Sequence, residues 1–256
     1  MPDRDDELLA AIWLDPDDRS LLRVYADWLM EHGSLRGEYM QLLLLTHPTS
    51  LQLARAAGLR TKHRGKWLGS ARPFVASWTD SETIPGFIDR LHCTAANLIA
   101  GFQDLVRLGP RLEISVTAMR IGKRKLEAKL AALPLGKVYA LNFFNNELDD
   151  TSISTLAPAL TGLRRLSLDG NDVTASGIAT LGAAVDSLED LTVDAIDDAT
   201  DGIAEVIVGA RGFRSLQRLT INPNIGGSLP SSPALCDALR ALPNLRRLNE
   251  ETLRSP

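Results

Sequence analysis

The sequence is poor in the residues on which several classes of function depend. Aromatic residues make up only 5% of its 256 residues, so stacking surfaces for bases or sugars are not expected. The two cysteines, Cys93 and Cys236, form neither a disulfide framework nor a pair with metal-ligand spacing. A formal net charge of −4 argues against a general nucleic-acid-binding role, which needs a basic face to displace counterions.

Long apolar runs and enzyme motifs are also missing. No window reaches about 18 consecutive apolar residues, so no membrane-spanning helix is predicted. There is no G-x-S-x-G, Walker loop, H-E-x-x-H or C-x-x-C sequence. His92 and Cys93 are not a catalytic pair, because adjacent residues of a strand face opposite sides. We therefore predict no catalytic residues, no metal site and no cofactor.

The first seven residues are acidic and lack the basic start and apolar stretch of a signal peptide. Apolar residues make up 45% of the chain and charged residues 23%, a composition that supports a packed core. We expect a cytoplasmic protein with reduced thiols.

An internal repeat is the clearest feature that is present. Segments of the form L-x-x-L-x-L, with Val, Ile or Phe at some positions, begin at residues 138, 163, 188, 216 and 245, the last of them truncated. The steps between them are 25, 25, 28 and 29 residues, which fall in the leucine-rich-repeat range of about 20–29 residues. Asn146, Asn171 and Asn224 follow three of these segments, and an Asn there can satisfy backbone groups of the turn.

The spacing within each copy predicts one strand and one helix. Leu-x-Leu has period two, so both side chains point to the same side of a strand. Apolar residues at helical spacing follow, and Thr151, Thr174 and Thr200 are the predicted helix N-caps. The predicted fold is α/β: a right-handed leucine-rich-repeat solenoid of parallel strands with outer helices, of the ribonuclease-inhibitor-like subclass, behind an N-terminal α-helical domain.

Two weaker copies precede the clear ones. Residues 86–93 and 111–116 are interpreted as strands and residues 98–108 and 125–133 as helices. They form either the degenerate N-terminal cap of the solenoid or strands of a linking region. The predicted domains are residues 1–70, helical, and residues 71–256, the solenoid, with degenerate or capping repeats in 71–134 and clear repeats in 135–256.

The N-terminal segment has a helical pattern. A short amphipathic helix ends at Asp15-Pro16, Asp17 and Asp18 start a second one over residues 19–32, and Gly33 stops it. Residues 35–45 and 51–67 predict two more helices.

Longer motifs in this segment resemble a known family. The segments are Asp15-Pro16-Asp17-Asp18, Val24-Tyr25-Ala26-Asp27-Trp28-Leu29, Glu31-His32-Gly33 and Arg36-Gly37-Glu38-Tyr39-Met40-Gln41-Leu42, followed by His63, Trp67-Leu68-Gly69 and Gly86-Phe87-Ile88. They are similar to the bacterial repeat-companion domain. The resemblance implies a helical module that precedes leucine-rich repeats, and it implies no catalytic activity. Met30, Ser34 and Ile196 depart from the usual pattern, and Ile196 stands where the repeat Asn is expected.

The repeat alignment predicts which side chains face the concave side of the sheet. It places Arg111 beside Ala140, and Glu113 beside Asn142. Arginine and aromatic residues are enriched in binding hot spots, so this face is the candidate protein-binding surface. Its predicted residues are Arg90, His92, Arg111, Glu113, Asn142, Phe144, Arg165, Ser167, Asp169, Asp190, Thr192, Asp194, Arg218, Thr220, Asn222 and Arg247.

Purely structural interpretations of these residues stay open. In the alternative to a binding surface, the face is only solvated and Phe144 packs against a neighbouring side chain. Asp27, Arg36 and Glu38 are interpreted as a local ion-pair network, and the basic run of residues 55–66 as a solvated helix face. The cluster Asp194, Asp197, Asp198 and Asp201 lacks the glycine and terminal glutamate of a calcium loop and is interpreted as a solvated loop.

The function predicted from the sequence is a non-catalytic scaffold that binds a protein partner through the concave sheet, with no nucleic acid and no membrane span. The alternative is a regulator of an enzyme such as a GTPase, where an arginine can stabilise phosphoryl transfer. The identity of the partner and the oligomeric state stay open.

Overall fold

The structure is a computed structural model, and it describes residues 4–119, 123–195, 200–223, 232–249 and 251–252. The chain forms two compact units. The first comprises the residues up to Leu91 together with Gly101–Leu112, and the second comprises His92–Ala100 and the residues from Glu113 onward. The first unit therefore extends beyond the helical segment of residues 1–70.

Four helices dominate the first unit, as the apolar spacing predicted. They are followed by a 3-10 helix and a short strand. The elements are α1 (Arg4–Leu14), α2 (Arg19–Glu31), α3 (Leu35–Leu43), α4 (Ser50–His63), the 3-10 helix Gly69–Phe74 and β1 (Ser77–Asp80). Asp18 caps α2 by accepting hydrogen bonds from the amides of Ser20 and Leu21. Gly33, just after α2, has a φ of +73°, a left-handed conformation in which glycine lacks the steric penalty of other residues.

The core of the first unit gathers aromatic and aliphatic side chains from separated segments. Ile12, Leu22, Met40 and Phe87 are fully buried there. α2 and α3 approach closely because Gly37 carries no side chain: a Cβ at this position would lie 2.3 Å from the carbonyl oxygen of Ala26. Tyr39, Ala56 and Leu59 form a second buried cluster, so the helical segment packs around two apolar clusters.

Strand β2 (Ile88–Thr94) and helix α5 (Ala95–Leu105) each contribute residues to both units. From Glu113 onward the chain alternates strands with helices. The elements are β3 (Glu113–Thr117), α6 (Lys123–Ala131), β4 (Ala140–Asn142), α7 (Asp150–Leu156), β5 (Arg165–Ser167), α8 (Ala175–Ala184), β6 (Asp190–Ala195), α9 (Thr200–Gly209), β7 (Arg218–Pro223), α10 (Pro233–Arg240), β8 (Arg247–Leu248) and β9 (Glu251–Thr252). Short 3-10 helices lie at Leu135–Lys137, Ala157–Leu160 and Arg211–Phe213.

The strands from β3 to β8 pair in chain order and in parallel, and β9 pairs antiparallel with β8. The fold is therefore α/β with a mostly parallel sheet. Leu141, Leu166, Leu191 and Leu219 lie in register on neighbouring strands, and all four are buried. The periodicity thus predicted correctly which residues stack to form this core.

Some local predictions need correction. Thr174 caps α8 as predicted, since its side chain accepts from the amide of Ser176. Thr151 does not cap α7, because Asp149 does so through the amide of Ser152. Thr200 is the first residue of α9 rather than its cap. An Asp closer to the strand end, which the sequence analysis did not consider, takes the capping position in α7.

Two buried asparagines connect successive strand ends. The side-chain oxygen of Asn171 accepts from the amides of Asn146 and Leu148, and its nitrogen donates to the carbonyls of Phe143 and Leu168. In the same manner the side chain of Asn146 donates to the carbonyl of Val116 in β3 and accepts from the amide of Met119 just beyond it. The predicted role of the repeat Asn in satisfying turn backbone is confirmed at these two positions, whereas Asn224 and Ile196 lie outside the described residues.

Candidate functional site

One side of the sheet in the second unit carries three rows of side chains that alternate with the buried leucines. Residues two apart on a strand point to the same side, so the strand pairings define the rows directly. The first row runs Glu113, Ala140, Arg165, Asp190, Arg218, Arg247. The second row runs Ser115, Asn142, Ser167, Thr192, Thr220.

The third row follows the strand ends and consists of Phe144, Asp169, Asp194 and Asn222. Asp194 pairs with Asn222 in the register of β6 and β7. The amide of Asn145 donates to the carbonyl of Asp169 at 3.0 Å, which continues the β4–β5 register beyond the strands. The predicted alignment is therefore confirmed for β4 to β8.

The alignment was wrong for β3. Glu113 pairs with Ala140 and Ser115 with Asn142, so the strand lies two residues away from its predicted register. Because Leu112 and Ile114 are both buried, the apolar pattern alone fits either register. Arg111 consequently leaves the predicted surface: it belongs to the first unit and forms a two-pronged ion pair with Asp17, with N–O distances of 2.9 and 2.6 Å.

Two other predicted site residues precede β3. Arg90 and His92 lie on β2 and are both exposed, and Arg90 belongs to the first unit. The candidate surface described below is therefore limited to residues of the second unit from β4 onward.

The first row is a band of arginines around one acidic residue. Arg165, Arg218 and Arg247 are exposed. The Arg218 guanidinium donates to the Asp190 carboxylate at 2.9 Å. Burial raises the pKa of Asp190 above its ordinary range, and the nearby charges of Arg218 and Arg165 only partly oppose that shift.

Tyr139 supports this row and was not predicted to do so. The Arg165 guanidinium lies over its ring at 5.0 Å from the centroid, a cation–π contact that orients the arginine. Tyr139 directly precedes the first-row residue Ala140 and is half-buried, but the sequence contains no pattern that pairs this tyrosine with Arg165.

The second row consists of polar side chains. Asn142, Ser167, Thr192 and Thr220 are half-buried. The side-chain oxygen of Asn142 accepts from the amide of Phe144 at 2.8 Å. This bond fixes the backbone where the chain leaves β4 and so positions Phe144.

The third row combines an exposed aromatic ring with a pair of carboxylates. Phe144 is 56% exposed, whereas its neighbour Phe143 is fully buried. Asp169 accepts from the side-chain nitrogen of Asn222 at 2.9 Å, and Asp194 accepts from the amide of Gly170 at 2.5 Å. These bonds hold both carboxylates in place across three strands.

The neighbouring carboxylate of Asp169 affects the protonation of Asp194. The pKa of Asp194 is raised to about 6 because burial and the adjacent Asp169 together outweigh the lowering effect of the hydrogen bond from the Gly170 amide. Two close carboxylates resist simultaneous ionisation. At neutral pH this end of the surface therefore carries a negative charge that is open to neutralisation by a cationic group.

Other candidates from the sequence do not form sites. The ion-pair network predicted for Asp27, Arg36 and Glu38 is wrong: Glu38 pairs with Arg55 at 2.7 Å, and Asp27 accepts from Gln41. Asp197 and Asp198 of the acidic cluster lie outside the described residues. Within the part of the chain that is described, no three acidic, histidine or cysteine side chains are grouped so as to hold a metal ion.

Comparison with known proteins adds no family to this description. A scan against protein-family models gives no match, and a search of curated proteins also gives none. Among the residues that the structure describes, no helix has the length and apolar character needed to cross a bilayer.

Proposed function

We propose that the protein is a non-catalytic interaction module that binds a partner protein through the three rows on the sheet. We further infer that the second unit is a leucine-rich-repeat solenoid and that the N-terminal helices form a repeat-companion domain. The in-register leucines, the strand–helix alternation and the bonds of Asn146 and Asn171 support the first assignment. The motif of residues 24–42 supports the second.

Phe144 is the observation on which the binding proposal rests. An aromatic ring that is 56% exposed stabilises the fold little, but it offers a large, rigid contact at low entropic cost. It lies beside two ordered carboxylates and near a band of exposed arginines. Such a mixture of aromatic, acidic and arginine side chains on one ordered face is typical of protein-binding surfaces.

A quantitative binding experiment tests this proposal. The full chain is immobilised, partners are captured from native extract, and the dissociation constant of each purified partner is then measured by surface plasmon resonance. Replacement of Phe144, Arg165 and Arg218 by alanine together should weaken binding by at least about a hundredfold, because truncation of two hot-spot residues already costs about 3 kcal/mol.

A matched triple variant provides the control. Leu51, Arg55 and Arg4 offer one apolar and two basic side chains that are exposed on the first unit, and their alanine variant should bind as the wild type does. If the sheet variant retains every partner at wild-type affinity, binding does not use this face and the proposal is wrong.

A further inference from the structure

The three rows on the sheet of the second unit separate charges of opposite sign. From β4 to β8 the first row carries three arginines and the single carboxylate of Asp190. The third row carries the carboxylates of Asp169 and Asp194, and none of its described members is basic. One border of this face is therefore positive and the opposite border negative.

Small, uncharged side chains fill the row between these borders. Asn142, Ser167, Thr192 and Thr220 are half-buried. The two borders lie four residues apart along each strand, which at about 3.3 Å per residue is a separation of about 13 Å. An α-helix with its side chains is about 10–12 Å wide. A helix therefore fits between the borders, with the small side chains beneath it.

The spacing of the strands matches the repeat of a helix that lies along the rows. Neighbouring strands are about 4.8 Å apart, and one helical turn rises about 5.4 Å, so each turn faces about one strand. In an extended segment, residues on the same side recur about every 6.6 Å and fall out of step with the rows within two strands. From β4 to β8 the rows span about 19 Å, the length of a helix of about 13 residues.

Contacts within the protein hold charged groups of both borders in place. At the positive border, the Arg165 guanidinium lies 5.0 Å from the centroid of the Tyr139 ring. At the negative border, Asp169 accepts from the side-chain nitrogen of Asn222 at 2.9 Å. Groups that are ordered before a partner arrives lose less conformational entropy on binding, so both borders are suited to charged contacts.

We propose that the partner docks an α-helix of about 13 residues along these rows, with its acidic flank toward the arginines and its basic flank toward Asp169 and Asp194. The inference rests on the proposed function and names the kind of partner that this face fits. A helix that carries both charges on each flank would place like charges at both borders, which is unfavourable. The direction of the bound helix follows from which of its flanks is acidic.

Two synthetic peptides of identical composition test this inference. Each is about 16 residues long, contains equal numbers of glutamate and lysine, and is kept helical by a hydrocarbon staple on its outer face. The sorted peptide has all glutamates on one flank and all lysines on the other, whereas the mixed peptide has both on each flank. Fluorescence polarisation at low ionic strength, where exposed charges are screened least, measures the binding of each peptide to the full chain. The sorted peptide should bind about tenfold more tightly, the combined effect of several exposed ion pairs.

A third peptide tests the helical form of the ligand. It keeps the sorted sequence but carries two prolines in place of the staple, and proline in a helix interior breaks the helix. This peptide should bind no more tightly than the mixed one.

Variants of the protein then locate the contact. Asp169→Asn combined with Asp194→Asn removes the negative border, while the amide oxygens remain hydrogen-bond acceptors. This double variant should bind the sorted peptide no better than the mixed one. The matched control, Glu205→Gln combined with Asp237→Asn, removes two charges from exposed positions of α9 and α10 and should keep the tenfold preference.

Each contrary outcome overturns a defined part of the inference. Equal binding of the sorted and mixed peptides shows that the face does not distinguish the order of charges. A proline peptide that binds as tightly as the sorted one excludes the helix, and an equal loss in the control variant reduces the effect to general charge attraction. Should the double Asp variant fail to fold, as judged by circular dichroism, Arg165→Gln combined with Arg247→Gln tests the positive border, and an unchanged preference there overturns the inference.

These outcomes are separate from the test of the proposed function. If the variant of Phe144, Arg165 and Arg218 loses its partners but the wild type does not prefer the sorted peptide, the face binds a partner of another form and only the inference fails. If that variant retains every partner at wild-type affinity, the proposed function fails.

Discussion

Within each of the two units, side-chain hydrogen bonds join residues at a different separation along the chain. In the second unit, side-chain bonds join positions one repeat apart: Asn171 bonds to Asn146, 25 residues earlier, and Asp194 to Gly170, 24 residues earlier. In the first unit they join distant segments, such as Arg36 with Gly86 and Arg107 with Asp5, 50 and 102 residues apart. In the second unit, similar bonds therefore recur between neighbouring strand–helix units. In the first unit, each of these contacts occurs once and joins segments that are far apart in the sequence.

The largest loss of stability is expected when the side chain of Asn171, which connects successive strand ends, is removed. Asn171→Ala leaves the amides of Asn146 and Leu148 and the carbonyls of Phe143 and Leu168 without the partners they have in the structure. We expect the free energy of unfolding to fall by about 4 kcal/mol, since each buried orphan costs about 1–3 kcal/mol and water satisfies some of them. Urea unfolding followed by circular dichroism measures this loss.

Asn244→Ala is the matched control for that variant. Asn244 is exposed and makes one hydrogen bond, to the carbonyl of Arg214, so its removal should cost about 0.5–1.5 kcal/mol. Equal losses in the two variants would show that the asparagine contacts between strand ends are no more important than an ordinary surface bond.

The first unit should be most sensitive at a close approach between helices. In Gly37→Ala the new Cβ would lie 2.3 Å from the Ala26 carbonyl oxygen and 2.8 Å from the Met30 nitrogen. Both are backbone atoms that move only with the helix, so we expect a loss of about 2–3 kcal/mol, typical of overpacking.

A second glycine on a helix of the same unit separates this clash from helix propensity. Gly58 lies on α4, and a Cβ there meets nothing within 4 Å. Gly58→Ala should therefore stabilise the protein by up to about 1 kcal/mol. Thermal unfolding of both variants checks the pair, and a stable Gly37→Ala protein would contradict the tight packing of α2 on α3.

The contrast between the units explains what the sequence predicted. Repeated spacing determined the register of β4 to β8, because each leucine has an equivalent one period away. The first row position of Glu113 was missed, since Leu112 and Ile114 offered two equivalent apolar patterns. In the first unit the partners of Arg36 came from Gly86 and Phe87, and no local pattern specifies a contact between segments so far apart.

The third row is expected to make stability depend on pH. The pKa of Asp194 is raised from 3.8 to about 6 in the folded protein, so the native state holds more protons than the unfolded state in this range. The free energy of unfolding should therefore fall as pH rises from about 4 to 6. In Asp194→Asn this loss disappears, with a gain over wild type of about 1 kcal/mol at pH 7 once solvent screening is allowed for.

The contribution of Asp149 to stability should depend on pH in the opposite direction to that of Asp194, and Asp149→Asn tests this. Burial alone would raise the pKa of Asp149, but hydrogen bonds from Ser152, Arg124 and Lys123 outweigh it and hold that pKa below its ordinary value of 3.8. Its contribution is present above about pH 4 and is lost as pH falls, so the deficit of this variant should shrink in acid. Urea unfolding across pH 3–7 measures both slopes, and identical slopes would contradict these assignments.

The smallest effect on stability is expected at Phe144, and its neighbour shows why that is informative. Phe143 is fully buried, so Phe143→Ala should cost about 4 kcal/mol, whereas Phe144 is 56% exposed and Phe144→Ala should change the free energy of unfolding by less than about 0.5 kcal/mol. Urea unfolding of the two variants under identical conditions measures the difference. A large loss for Phe144→Ala would mean that its ring packs within the fold and is not available to a partner. A negligible loss together with weakened partner binding would separate the surface role of this residue from the packing role of the residue beside it.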